Sequence, residues 1–178
     1  MLEKINYKHN KPLETTLPAG MINGQGAGAI KNFRYGICSF GWCGCEIIGA
    51  YNLLQMVGKP APMCEIAREI YPYGQVLCGF FGTNVYTLAH YFKKHKIPVK
   101  TIYRKDAFFR EAPQGKYGVV SFWTGKVLRS SIHTVAYRVR EDGKIVIYNK
   151  YNSRNYEYVH DDMNAAFGRY TFIVANIL

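Results

Sequence analysis

The stretch Ile132-His133-Thr134-Val135-Ala136-Tyr137-Arg138-Val139-Arg140-Glu141-Asp142-Gly143-Lys144-Ile145-Val146-Ile147-Tyr148-Asn149 decides how the second half of the chain folds. Two runs rich in Val, Ile and Tyr flank a Glu-Asp-Gly connection, the composition of a hairpin with a three-residue loop and Gly in the left-handed position. Pairing Arg140 with Lys144 sets Val139 opposite Ile145, Tyr137 opposite Ile147 and Val135 opposite Asn149, with His133 one diagonal step away. The face shared by His133, Val135, Tyr137, Val139, Ile145, Ile147 and Asn149 is then expected to face the core, and the other to carry Arg138, Arg140 and Lys150. A two-residue turn would shift the register, group Ile145 and Ile147 with the arginines, and part His133 from Asn149.

Outward from this hairpin, Val99–Arg104, Tyr117–Trp123 and Arg169–Ile177 have the same strand-like composition. Before Pro98 the period is helical instead. Ile47, Ile48, Ala50, Tyr51, Leu54 and Val57 predict a helix over 45–57 closed by Gly58. A second helix is expected from Met63 to Ile70, and a third from an N-cap at Thr83 through Val85, Leu88, Ala89 and Phe92. Residues 1–35 read as irregular. Helices followed by strands predict an α+β fold in one domain over 1–178, a mainly helical half at 45–97 and a mainly β half at 98–178, with the helices packed on an antiparallel sheet.

A length of 178 residues is enough for a substantial core, and no uncharged apolar run reaches membrane-spanning length. Five cysteines, an odd number, with no secretory signal at the N-terminus predict reduced thiols and a cytoplasmic setting. The net charge of +11 is concentrated locally: 93–129 holds ten basic residues against Asp106 and Glu111. Such a stretch could receive an acidic partner, but no nucleic-acid motif accompanies it, which argues for a solvated face and against nucleic acid.

Cys45, His133 and Asn149 are the candidate catalytic residues. A thiol at the start of a helix gains nucleophilicity from the helix N-terminus and from a neighbouring imidazolium. Asn149 would accept the imidazole N–H and leave the other nitrogen for the thiol, with Asn152 as its substitute if the strand ends early. Gly41 and Gly44 give the preceding turn room to aim backbone N–H groups at an oxyanion. Glu46 is expected to serve the helix N-terminus electrostatically. Cys43 is the rival thiol; Cys43-Gly44-Cys45 lacks the second close Cys/His pair a zinc site needs, so neither metal nor cofactor is expected. Trp42 and Trp123 are candidate substrate-rim residues, with core packing the alternative role.

These residues resemble the papain-like cysteine peptidase superfamily, in particular the peptidase domains of bacteriocin-processing transporters and their stand-alone relatives, over roughly residues 38–155. The resemblance rests on a cysteine opening a helix that reaches Gly58 thirteen positions later, on Gly82-Thr83 before a further helix, and on His133 beginning a strand. It implies a papain-like cysteine proteinase fold and hydrolysis of a peptide or protein substrate through a thioester. The chain departs from the family in having Glu46-Ile47 after the cysteine where Gly-Pro is common. It also has Ser39 where many members carry an oxyanion-binding Gln, leaving Ser39 and Gly44 as oxyanion candidates and Gln25 as a distant substitute. A cysteine acyltransferase would use the same residues, and a non-catalytic binding module could use the same fold.

Overall fold

Polar side chains, not apolar ones, anchor the first helix, and that is why the sequence conceals it. A computed structural model describes residues 1–125 and 131–178. In it Leu2–Asn10 form helix α1, correcting the expectation that 1–35 is irregular. The inward-facing residues of α1 include Asn6, which donates to the Gly36 carbonyl at 2.8 Å, and Asn10, which both donates to and accepts from the Arg34 backbone at 2.8 Å. Periodicity of apolar residues cannot reveal a helix held this way.

The remaining helices are α2 (Phe40–Cys43), α3 (Cys45–Met56), α4 (Met63–Gly74), α5 (Thr87–Lys94), α6 (Lys105–Glu111) and α7 (Met163–Phe167). The strands are β1 (Arg34–Tyr35), β2 (Cys38–Ser39), β3 (Lys100–Ile102), β4 (Tyr117–Trp123), β5 (Ile132–Val139), β6 (Ile145–Tyr148), β7 (Tyr158–His160) and β8 (Thr171–Ile177). β1 and β2 form a small hairpin; the other six make one antiparallel sheet in the order β3-β8-β4-β5-β6-β7. The architecture is thus α+β, with helices towards the N-terminus and the sheet towards the C-terminus.

Helix α3 ends as its sequence predicts. Gly58 takes a φ of +68°, and the Lys59 N–H returns to the Leu54 carbonyl at 2.9 Å. Helix α4 runs past Ile70 and tolerates Pro72 in its last turn. Helix α5 starts at Thr87 rather than at Thr83, because Thr83 bridges to Gln75 and Asn84 instead folds a turn, its side chain accepting from the Tyr86 N–H at 3.1 Å. Helices α6 and α7 escape the sequence reading, although Asp162 caps α7 by accepting from Ala165 N–H at 2.7 Å.

The hairpin register holds: Val139 faces Ile145 and Tyr137 faces Ile147. Of the residues expected on the opposite face, Arg138 and Arg140 are exposed, but Lys150 is buried. Both faces are covered around β4 and β5. Val119 and Ala136 join a core built from α3, α4 and α5, while Val120, Phe122, Val135 and Tyr137 join one built from Phe108 of α6 and Met163 and Phe167 of α7. Gly49 lets α3 lie close on the sheet; a Cβ there would meet methyls of Thr134 and Val119 at 3.1 Å. A sheet sandwiched by helices needs apolar residues on both faces, so strict alternation fails at Thr134 and Ala136.

Candidate functional site

Cys45 is the first residue of α3, 7% exposed, where the helix end abuts the start of β5. Its thiol donates to Oε2 of Glu46 at 3.0 Å, and the backbone N–H of Thr134 also acts on the sulfur. Glu46 is itself 2% exposed, and its Oε1 accepts from the Thr134 hydroxyl at 3.2 Å. Thr134 in turn is bonded to the Ser121 hydroxyl at 2.8 Å. When Glu46 is ionised it only accepts, so Thr134 donates to Glu46 and Ser121 to Thr134, giving a directed, buried chain of four side chains. Glu46 therefore does not act only at its own helix end; it partners the candidate nucleophile.

His133, the residue before Thr134, projects on the other face of β5 with Val135 and Tyr137, edge-on to Phe122 at 6.1 Å between ring centres. Its Nε2 bonds to the backbone carbonyl of Asn149 at 2.6 Å. A carbonyl only accepts, so Nε2 carries the proton and Nδ1 keeps a free lone pair. The expected orienting function is thus performed by Asn149 main chain and not by its amide. That amide clasps Gln25: Oδ1 accepts from the Gln25 N–H at 3.0 Å and Nδ2 donates to its side-chain oxygen at 3.1 Å. The Asn149 N–H donates to Asn23 Oδ1 at 2.8 Å. With a φ of +60°, Asn149 ends β6 in the left-handed region that Asn tolerates better than most residues.

No hydrogen bond joins the Cys45 thiol to the His133 ring among the described residues. Electrostatics match this separation. Burial, followed by the Glu46 charge, pushes the Cys45 thiol well above its ordinary range, and burial holds His133 below its own. Burial raises Glu46 to about 7. The expected lowering of the thiol is overturned, because desolvation of a buried anion beside a carboxylate outweighs the helix N-terminus.

Gln25, a distant substitute on sequence grounds, reaches the site. It is buried, and its side-chain nitrogen lies 3.4 Å from the Gly41 carbonyl. Residues 22–26 form an ordered strap: Asn52 of α3 bonds both Ile22 N–H and Ile22 carbonyl, at 2.8 and 2.9 Å, and Gly26 N–H donates to the Asn152 carbonyl at 2.8 Å. Asn152 thus helps fasten the strap.

Among the oxyanion candidates, the Gly44 N–H is engaged by the Phe40 carbonyl at 2.9 Å and is not free. The Ser39 side chain is exposed and makes no capping bond to α2; its carbonyl accepts from Cys43 Sγ at 3.3 Å. Cys43 is buried with its thiol bonded to the Ser39 and Tyr35 carbonyls, and burial raises it to about 12. Trp42 is 66% exposed, its ring nitrogen bonded to the Phe80 carbonyl at 2.8 Å, and it leads an apolar rim with Phe80 and Phe81. Trp123 is partly exposed at the end of β4, paired with Ile132.

The basic stretch 93–129 is partly neutralised. Lys94 pairs with Glu69, Lys100 and Arg110 with Glu111, and Arg104 with Asp106. Lys126 and Arg129 lie outside the described residues. Among the described residues no helix is long and apolar enough to cross a membrane, and no three Cys, His, Asp or Glu residues cluster as metal ligands. No protein-family model matches the chain, and no curated protein matches its sequence.

Proposed function

We propose that the chain is a papain-like thiol hydrolase of peptide-like amides, with Cys45 as nucleophile and His133 as proton carrier. The observation that supports this most is the pinning of His133. Its Nε2–H is fixed on the Asn149 carbonyl, which leaves Nδ1 as a free base one residue along β5 from the Thr134 amide that faces the Cys45 sulfur. An imidazole held in one tautomer, one residue from the strand position that meets a helix-terminal thiol, supplies the base and the nucleophile that acyl transfer needs.

The Cys45 proton has two acceptors in this reading. At rest the thiol donates it in a hydrogen bond to Glu46, and a carboxyl group raised to about 7 is suited to take it near neutral pH. Nδ1 of His133 is the acceptor that the family pattern calls for. In either case the sulfur bonds the amide carbonyl carbon, and the C–N bond breaks as that proton passes to the leaving nitrogen. Water then cleaves the thioester and returns a proton to sulfur. The exposed Trp42, Phe80 and Phe81 offer an apolar rim for a peptide side chain.

The bonding of the thiol to Glu46 instead of His133 favours a second reading, a binding module on the same scaffold with a silent cysteine. Site-resolved alkylation against pH, in the wild type, His133→Ala and Glu46→Gln, separates them. The catalytic reading expects Cys45 to be labelled faster than Cys64 near neutral pH and to slow in His133→Ala. Equal labelling in all three proteins sinks it. An acyltransferase would show the same labelling and differ only in transferring the acyl group to an added amine.

A further inference from the structure

Lys150 follows Asn149 directly and is only 8% exposed, yet it has no carboxylate partner. Its ammonium donates to Nε2 of His160 at 2.5 Å and lies 5.3 and 5.8 Å from the ring centres of Tyr158 and Tyr151. Two further cations lie on the same group of tyrosines. Arg169 donates to the hydroxyls of Tyr151 and Tyr170, at 3.3 and 2.5 Å. Arg154 donates to those of Tyr156 and Tyr158, at 3.0 and 3.2 Å. None of Lys150, Arg154 or Arg169 forms a salt bridge, and every acidic residue of the chain lies among the described residues. Of the nearby acids, Asp161 pairs with Lys144 and Glu157 acts on Tyr148.

A buried ammonium without a counterion is costly. Here burial, and then the charge of Arg169, bring Lys150 down to about 8, and burial with the charges of Lys150 and Arg169 lowers His160 as well. The cluster is rich in donors: the Tyr151 and Tyr170 oxygens accept from Arg169 and keep their own O–H protons to give, while the Tyr156 and Tyr158 hydroxyls also act on each other. An anion held between these groups would gain charge-assisted hydrogen bonds and relieve the repulsion between cations. The cluster also adjoins the candidate catalytic residues, since Tyr170 stacks on Phe122 at 4.3 Å and Phe122 meets His133.

We propose that Lys150 and Arg169, with the hydroxyls of Tyr151 and Tyr158, form a binding site for an oxyanion group, a carboxylate or a phosphate. The site does not depend on Cys45 being a nucleophile, so it stands or falls by binding alone.

The test is an NMR titration of the full-length protein at low salt and about pH 6.5, where Lys150 is charged, following Lys150 and His160 resonances. Three probes are added: N-acetyl-alanyl-alanine with a free carboxylate, its C-terminal amide, and inorganic phosphate. The expected result is a saturable shift with at least one anion and none with the amide. Lys150→Met and Arg169→Gln should each weaken binding by about tenfold. Arg169 is exposed, so its variant keeps the fold and serves if Lys150→Met does not. Tighter binding of the peptide identifies a peptide carboxylate as the natural group, and tighter binding of phosphate identifies a phosphorylated compound. Absence of any shift with either anion up to about 50 mM, or binding unchanged in both variants, overturns the proposal.

Discussion

Replacing Glu46 by Gln should change how stability depends on pH. Glu46 is 2% exposed and accepts from Cys45 at 3.0 Å and Thr134 at 3.2 Å. Burial raises its carboxyl from 4.5 to about 7, against the opposing pull of those hydrogen bonds. A raised carboxyl means that the folded chain binds the proton more tightly than the unfolded chain does. The corresponding stability is therefore complete below the unfolded value and is lost as pH rises through about 7. At about 1.4 kcal/mol per pH unit, the interval from 4.5 to about 7 corresponds to a loss of about 3 kcal/mol. Gln preserves the shape, accepting from Thr134 and donating to the Cys45 sulfur, but cannot ionise. Urea unfolding of both proteins from about pH 4 to 8 should show the wild type losing about 3 kcal/mol relative to Glu46→Gln across that window. His133, held low by burial, contributes in the opposite sense, losing its share as pH falls; it is present in both proteins and cancels in the difference. A difference that is flat within about 0.5 kcal/mol would refute the buried, unpaired carboxylate and its part at the thiol.

Asn149→Ala should destabilise by about 3 kcal/mol, since it strands the buried Gln25 N–H and places Ala at a φ of +60°. In the same variant the nitrogen-15 shifts of His133 should still report a proton on Nε2, because the orienting acceptor is a main-chain carbonyl; loss of that tautomer would assign the role to the amide. Asn52→Ala removes both bonds to Ile22, and should cost about 2 kcal/mol and open residues 17–26 to protease ahead of the rest; uniform digestion would show that the strap does not rely on it. Gly49→Ala drives a methyl to 3.1 Å from Thr134 and Val119 and should cost about 1–3 kcal/mol by thermal or urea unfolding. A variant as stable as the wild type would mean that α3 moves freely on the sheet.

The local signals in the chain were strong wherever apolar residues and turn chemistry acted together. The register of β5 on β6 follows from Glu141-Asp142-Gly143 and the flanking branched residues, and the end of α3 from Gly58. Helix α1 was illegible because Asn6 and Asn10 hold it through hydrogen bonds to Gly36 and Arg34, partners that no periodicity announces. Thr83 resembles an N-cap in sequence but is drawn into a bridge with Gln75.

By itself the sequence determined that helices precede a sheet, that Cys45 opens a helix and that His133 lies at the start of a strand. Only the tertiary structure decided what each of these groups faces. Covering the sheet on both sides buries Glu46 of α3 against Thr134 of β5 and turns the Cys45 thiol to a carboxylate. Folding residues 22–26 across the end of β6 occupies the Asn149 amide with Gln25 and leaves its carbonyl for His133. Propensity and spacing act over a few residues, whereas hydrogen-bond partners and desolvation are set by segments more than a hundred positions apart, such as Gln25 and Asn149.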